Sequence, residues 1–140
     1  MNIDKPHVTQ SQINPHHILS RNSRNLFLCD GKIPKLQKGF KFMLLNIRSL
    51  ISKLDSLVYL LSNNKIDILC LNETFCDETI SNNELYIEGL QIERKDRTRS
   101  GGGVAIYISS NVHYVRRKEF EDPDLELICI QLYLPLKKIS

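Results

Sequence analysis

A chain of 140 residues, 41% apolar, 25% charged and carrying a net charge of +3, has room for one modest core; this argues against two complete domains, a collagen-like repeat or disorder throughout. No apolar run approaches the 18 or more residues that span a bilayer. The opening MNIDKPHVTQSQINPHH lacks the basic stretch and apolar core of a secretory signal, so a nuclear or cytoplasmic chain is expected, neither secreted nor in a membrane.

The charge is uneven. Residues 1 to 41 carry 7 Lys or Arg against 2 Asp, and residues 42 to 140 carry 12 against 14 acidic residues. With Pro6, Pro15, Gly31 and Pro34 breaking it up, the segment 1–39 reads as a flexible basic leader ahead of a folded unit spanning 40–140. Such an arm either attracts a polyanion nonspecifically or serves as a soluble leader.

Regular patterning begins near Gly39. Phe40 to Ile47 predicts a strand closing on the polar Asn46. Leu50, Leu54, Leu57, Val58 and Leu61 then recur at helical spacing, predicting a helix over roughly 51–62 that Asn63 and Asn64 end. Ile66 to Leu71 supplies a compact strand directly before Asn72 and Glu73. A strand–helix–strand crossover makes the two strands parallel and leaves Asn46 and Glu73 at the same end of the sheet, where open sheets place their chemistry.

Residues 74 to 99 form a long polar passage with a short structured piece around Leu85 to Glu93. Gly101, Gly102 and Gly103 precede a strand at Val104 to Ile108, with Val112 to Val115 as its hairpin neighbour, and a further strand runs from Leu125 to Leu134. The sum is a mixed α/β sheet. The four cysteines, Cys29, Cys70, Cys76 and Cys129, include no CxxC pair and no histidines at zinc-finger spacing, so structural zinc is not expected and Cys70 and Cys129 read as buried thiols.

A carboxylate at a strand end is an oxygen donor for magnesium, an asparagine orients a phosphate without adding charge, and a tyrosine donates to the same region. Asn46, Glu73 and Tyr133 are therefore the candidate catalytic group. Ordinary loop polarity and a packed tyrosine are the alternative. Arg94, Lys95, Arg97 and Arg99 are candidate phosphate contacts on a groove rim, or a solvated loop.

The succession KFMLLNIRSLISKLDSL, IDILCLNETF, RKDRTRSGGGVAIYI and a strand ending QLY resembles the amino-terminal half of an endonuclease/exonuclease/phosphatase domain over about residues 40 to 136. Within that family it looks closest to the apurinic-like endonucleases of non-LTR retrotransposons. The resemblance implies a DNase I-like two-sheet α/β sandwich, here partial and cut before its second half, whose relatives hydrolyse phosphoesters with a divalent metal, usually Mg2+. The retrotransposon branch nicks DNA for target-primed reverse transcription.

By this resemblance Asn46 matches the asparagine of the first strand, Glu73 in LNET matches the metal-binding glutamate, and Tyr133 matches the active-site tyrosine. Leu134 stands where many relatives have arginine. Asp-x-Asn and Ser-Asp-His motifs, which complete the site in relatives, do not occur. The histidines His7, His16, His17 and His113 match none of the family's catalytic ones.

The expectation is a fragment of a magnesium-dependent DNA endonuclease that is inactive alone, with DNA as the ancestral partner. The alternative is a catalytically disabled interaction module whose uncovered sheet takes a protein partner. A phosphatase of the same fold is a third reading.

Overall fold

The computed structural model describes residues 39–134, so the calls on the leader, on Cys29, on His7, His16 and His17, and on the residues after Leu134 lie outside the described residues. Strand β1 (Phe42–Asn46) is followed by a 3-10 turn at Ile51–Lys53 and helix α1 (Leu54–Asn63), and β2 (Ile68–Asn72) returns parallel to β1. Next come β3 (Leu90–Lys95), β4 (Val104–Ser109), β5 (His113–Arg116) and β6 (Ile130–Tyr133).

Helical spacing explains α1. Leu50, Leu57 and Leu60 are buried, with Leu54 and Leu61 packed beside them, whereas Val58 is 40% exposed, so Leu60 rather than Val58 completes the inward face. The Asn63 and Asn64 amides donate to the carbonyls of Tyr59 and Leu60 at 2.8 and 2.9 Å, satisfying acceptors that the last turn leaves open.

A four-stranded sheet in the order β1-β2-β4-β3 forms the middle layer. Its alternation splits the apolar residues into two cores. Leu69, Leu71, Ala105 and Tyr107 pack with Leu50, Leu57 and Leu60 and with the buried Cys76, Ile80, Leu85 and Ile87 of the β2–β3 connection. Ile68, Ile106 and Ile108 face the other way, with Cys70, against Val112, Tyr114, Ile128, Ile130 and Leu132. The second core seals the four-stranded sheet onto a two-stranded antiparallel sheet of β5 and β6. Tyr107 donates its hydroxyl to the Leu85 carbonyl at 2.7 Å, and burial raises its pKa.

The expected hairpin is corrected here: β5 pairs with β6, not with β4. Both edges of β4 are taken, by β2 and β3, so the chain after Ser109 turns out of the sheet and starts a second one. The expected strand over Leu125 to Leu134 shortens to Ile130–Tyr133, because Leu125 and Leu127 close local turns onto the Asp122 and Leu125 carbonyls. Among the described residues strand β1 pairs on one side only. Phe42 and Leu44, in register with Ile68 and Cys70 and so on the face of the second sheet, are each 63% exposed.

Candidate active site

Asn46 and Asn72 are register partners at the carboxyl ends of the two parallel strands. Beyond them the two chains stay joined: Ile47, Ser49 and Leu50 N–H groups donate to the carbonyls of Asn72, Glu73 and Thr74 at 3.0, 2.9 and 2.9 Å. Both segments carry left-handed residues other than glycine, namely Arg48 (φ 50°), Ser49 (φ 82°), Glu73 (φ 56°) and Phe75 (φ 54°). Such conformations cost free energy and persist where their surroundings hold them. Lys53 does part of the holding, donating to the Ile47 and Arg48 carbonyls at 2.5 Å each; burial, followed by the Arg48 charge, lowers its pKa.

The glycine loop closes on the other side of Glu73. Thr74 and Phe75 N–H groups donate to the carbonyls of Gly103 and Gly102 at 3.2 and 3.0 Å. In return Gly102 N–H donates to Glu73 Oε2 at 3.2 Å and Gly103 N–H to Glu126 Oε2 at 2.9 Å. Both glycines have positive φ, 72° and 84°. A Cβ on Gly102 would lie 2.5 Å from Glu126 Oε1, and one on Gly103 would strike the Thr74 hydroxyl, so these two glycines serve close packing as well as the turn.

The structure therefore brings Asn46 and Glu73 to one sheet end, Asn46 exposed and Glu73 half-buried. It does not bring Tyr133 there. Tyr133 pairs with His113 and shares an open cavity of about 420 Å³ with Phe40, Asp67 and Asn111. Asp67 precedes β2, so Tyr133 sits at the opposite end of the strands, about 20 Å from Glu73 at the rise of an extended chain. The physical reason is the hairpin: β6 runs antiparallel to β5, and its last residue returns to where β5 began.

The four basic residues also separate. Arg94 points inward, with 14% of its side chain exposed, donating to the Asp77 and Ile80 carbonyls and pairing with Asp96 at 2.7 Å. It ties the β2–β3 connection to β3 and offers no rim contact. Lys95 Nζ donates to the Asp122 carbonyl at 2.6 Å. Arg97, 64% exposed, pairs with Glu126 at 3.0 Å, and Arg99 is exposed. Glu126 was not legible as a site residue, since nothing in its sequence neighbourhood places it against a glycine loop 23 residues earlier.

A second polar network stiffens the sheets. Arg116 makes a two-pronged contact with Glu121 at 2.9 Å and reaches Glu93 at 3.0 Å, and Tyr114 donates to Glu93 at 2.9 Å. The Arg116 hydrogen bond holds the Glu121 carboxyl down at about 2. Burial, then the bond to Glu93, pushes the Tyr114 hydroxyl up to about 12.

Among the described residues no three His, Cys, Asp or Glu side chains cluster as a metal cage. Magnesium does not require one, because it is commonly held by one or two carboxylates with waters and phosphate oxygens. Glu73 suits that role: the loop takes up Oε2, and a carboxylate has a second acceptor oxygen.

No family model and no curated protein matches the chain. Among solved structures the chain is similar to the 3′ phosphatase NExo from Neisseria, solved bound to a product DNA hairpin, with a TM-score of 0.50 and 25% identity over 67% of this chain. The fold is α/β with two sheets, and its structural neighbour is DNase I-like. The chain spans 38% of that neighbour's length. No helix among the described residues is long and apolar enough to cross a membrane.

Proposed function

We propose that this chain carries the Glu73 half of a divalent-metal phosphoesterase site acting on DNA, of the retrotransposon endonuclease type, and that its 140 residues do not catalyse efficiently alone. The observation that supports this most is the Glu73 carboxylate, held by Gly102 at the carboxyl end of a parallel strand pair beside Asn46, in a fold similar to a DNA-bound 3′ phosphatase. Glu73 would hold Mg2+, which supplies Lewis-acid polarisation of a phosphoester oxygen. Asn46 would orient the phosphate by its amide.

What these residues lack is a group to move a proton. The described histidine, His113, lies with Tyr133 at the far sheet end, and the sequence holds no Asp-x-Asn or Ser-Asp-His stretch. Members of a catalytic unit do not retain proportional shares of activity when others are missing. Of the basic residues, Arg97 and Arg99 remain as DNA contacts on the exposed side of the loop. Action on DNA implies a nuclear site of use.

The test is a Mn2+ titration of the isotope-labelled 140-residue chain followed by amide signal broadening, beside a Mg2+ incubation with supercoiled plasmid. Broadening centred on Glu73 that Glu73→Gln abolishes, with plasmid left intact, is expected. Broadening indifferent to Glu73→Gln sinks the metal assignment, and nicking as fast as by an intact nuclease overturns the inactivity. A second reading, a protein-binding module, is favoured by the exposed Phe42 and Leu44 on β1, whose outer edge is unpaired among the described residues.

A further inference from the structure

Two carboxylates from distant parts of the chain grip neighbouring amides of one glycine loop. Glu73 accepts from Gly102 N–H, and Glu126, 53 residues later, accepts from Gly103 N–H. The second oxygen of Glu126 pairs with Arg97 at 3.0 Å, and Gly102 carries no Cβ because that atom would strike Glu126 Oε1 and Arg97 Cδ. An isolated antiparallel bridge between Thr98 and Gly101 closes the start of the loop, and β4 begins directly after Gly103. Among the described residues the Gly102 and Gly103 carbonyls are held by the Phe75 and Thr74 amides and their N–H groups by the two glutamates, while Gly101 N–H donates to the Thr98 carbonyl at 3.4 Å.

From this geometry we propose that Glu126 is a positioning residue for Glu73: by latching Gly103 it fixes the orientation of the Gly102 amide, which in turn fixes the rotamer of the carboxylate offered to the metal. The proposal rests on the reading of Glu73 given above and extends it to a residue outside the strand ends. Its physical content is that a pair of glycines with positive φ has few alternatives to swing between once both N–H groups are bound, and many when one is released. A carboxylate whose oxygen is engaged by a fixed donor has less rotamer freedom to lose on taking a cation.

The latch also explains why Arg97 is paired while remaining 64% exposed. Its charge offsets that of Glu126, which would otherwise stand unbalanced one amide away from Glu73. Glu126 is thus an acceptor for the loop whose charge is spent on Arg97, and an uncharged acceptor of the same shape should serve the loop equally well.

The experiment is amide hydrogen exchange at Gly102 and Gly103 in the full 140-residue chain, with Mn2+ broadening at Glu73 as a second readout. In Glu126→Ala both amides should exchange at least about tenfold faster, as expected for one lost hydrogen bond transmitted to its neighbour, and the Mn2+ concentration for half-broadening should rise about threefold or more. Glu126→Gln keeps an acceptor oxygen and should restore both within about twofold. Core amides of β2 and β4 report whether the fold is kept. Should the alanine variant unfold, Glu126→Asp, which withdraws the carboxylate by one methylene, is read the same way.

Acceleration at Gly103 alone, with Gly102 unchanged, overturns the proposal, because Glu126 would then be a purely local latch. So does a glutamine variant that behaves like alanine. If the unsubstituted chain shows no Mn2+ broadening at Glu73, the metal reading of Glu73 fails, and the Gly102 exchange rate still decides the positioning role.

Discussion

The Thr74 hydroxyl fills the space that a Cβ on Gly103 would need, and that hydroxyl is buried without a hydrogen-bond partner among the described residues. The contact joins the turn after β2 to the glycine loop and adds to the backbone bonds between Thr74, Phe75 and the two glycines. Gly103→Ala should therefore destabilise the fold by about 2–4 kcal/mol, from steric overlap plus a side chain forced to φ 84°. Gly101 does not have a positive φ and has nothing within 4 Å of its Cβ position, so Gly101→Ala should stay within about 0.5 kcal/mol. Urea unfolding of the two variants side by side checks the contrast.

Arg94 and Arg99 lie five residues apart in one basic stretch and have different work. Arg94 binds two backbone carbonyls and Asp96 from a side chain only 14% exposed, so Arg94→Met leaves those acceptors without a donor and strands the Asp96 charge. A loss of about 3 kcal/mol is expected, by the cost of unmaking a largely buried pair. Arg99→Ala removes an exposed side chain and should leave thermal stability unchanged within about 0.5 kcal/mol while weakening retention on DNA. Thermal melts and DNA-cellulose binding separate the two roles; equal melting losses would contradict them.

The strand–helix–strand unit was legible because each of its residues obeys one local period. Leu50, Leu54, Leu57 and Leu61 recur as a helix requires, although Leu60 and not Val58 completes the buried face, and the short apolar IDILCL holds most of β2. Asn46 and Glu73 followed from it, since parallel strands end together. The period says nothing about partners, however, and that is where the reading failed. Val112 to Val115 looks like the hairpin mate of the strand before it, and only the occupancy of both β4 edges shows otherwise. The place of Tyr133 likewise depends on which strand β6 answers, and pairing with β5 sets it beside His113 and apart from Asn46 and Glu73. Glu126 was invisible for another reason: its bond to Gly103 spans 23 residues and leaves no pattern near either end.

Acid should loosen the contact between the two sheets before it disturbs the first core. The Arg116 hydrogen bond lowers the Glu121 carboxyl from its ordinary 4.5 to about 2, so the folded chain binds fewer protons there than the unfolded chain does. A depressed folded value means the stabilisation is complete above about pH 4.5 and is lost as the pH falls towards 2. Glu121→Gln should cost about 2 kcal/mol at pH 7, the worth of a charge-assisted pair, and should flatten the stability profile between pH 4.5 and 2. Denaturant titrations at stepped pH supply both numbers, and a variant with the same steep acid limb as the unsubstituted chain would assign that limb to other carboxylates.

Among the described residues strand β1 offers an unpaired edge together with Phe42 and Leu44, each 63% exposed on the face that carries the second sheet further along. An apolar face next to free N–H and C=O groups is a template for another strand, and proteins usually blunt such edges with charge. Leu44→Lys places a charge in the middle of this edge, where the side chain already meets water, so it removes little buried contact. The substitution should keep stability within about 0.5 kcal/mol and shift the chain towards monomer at concentrations where the unsubstituted protein self-associates. Light scattering against concentration, with a urea melt as control, decides it. Leu69→Lys is the counterpart from the next strand: its side chain is buried in the first core, and the same charge there should unfold the domain instead of solubilising it.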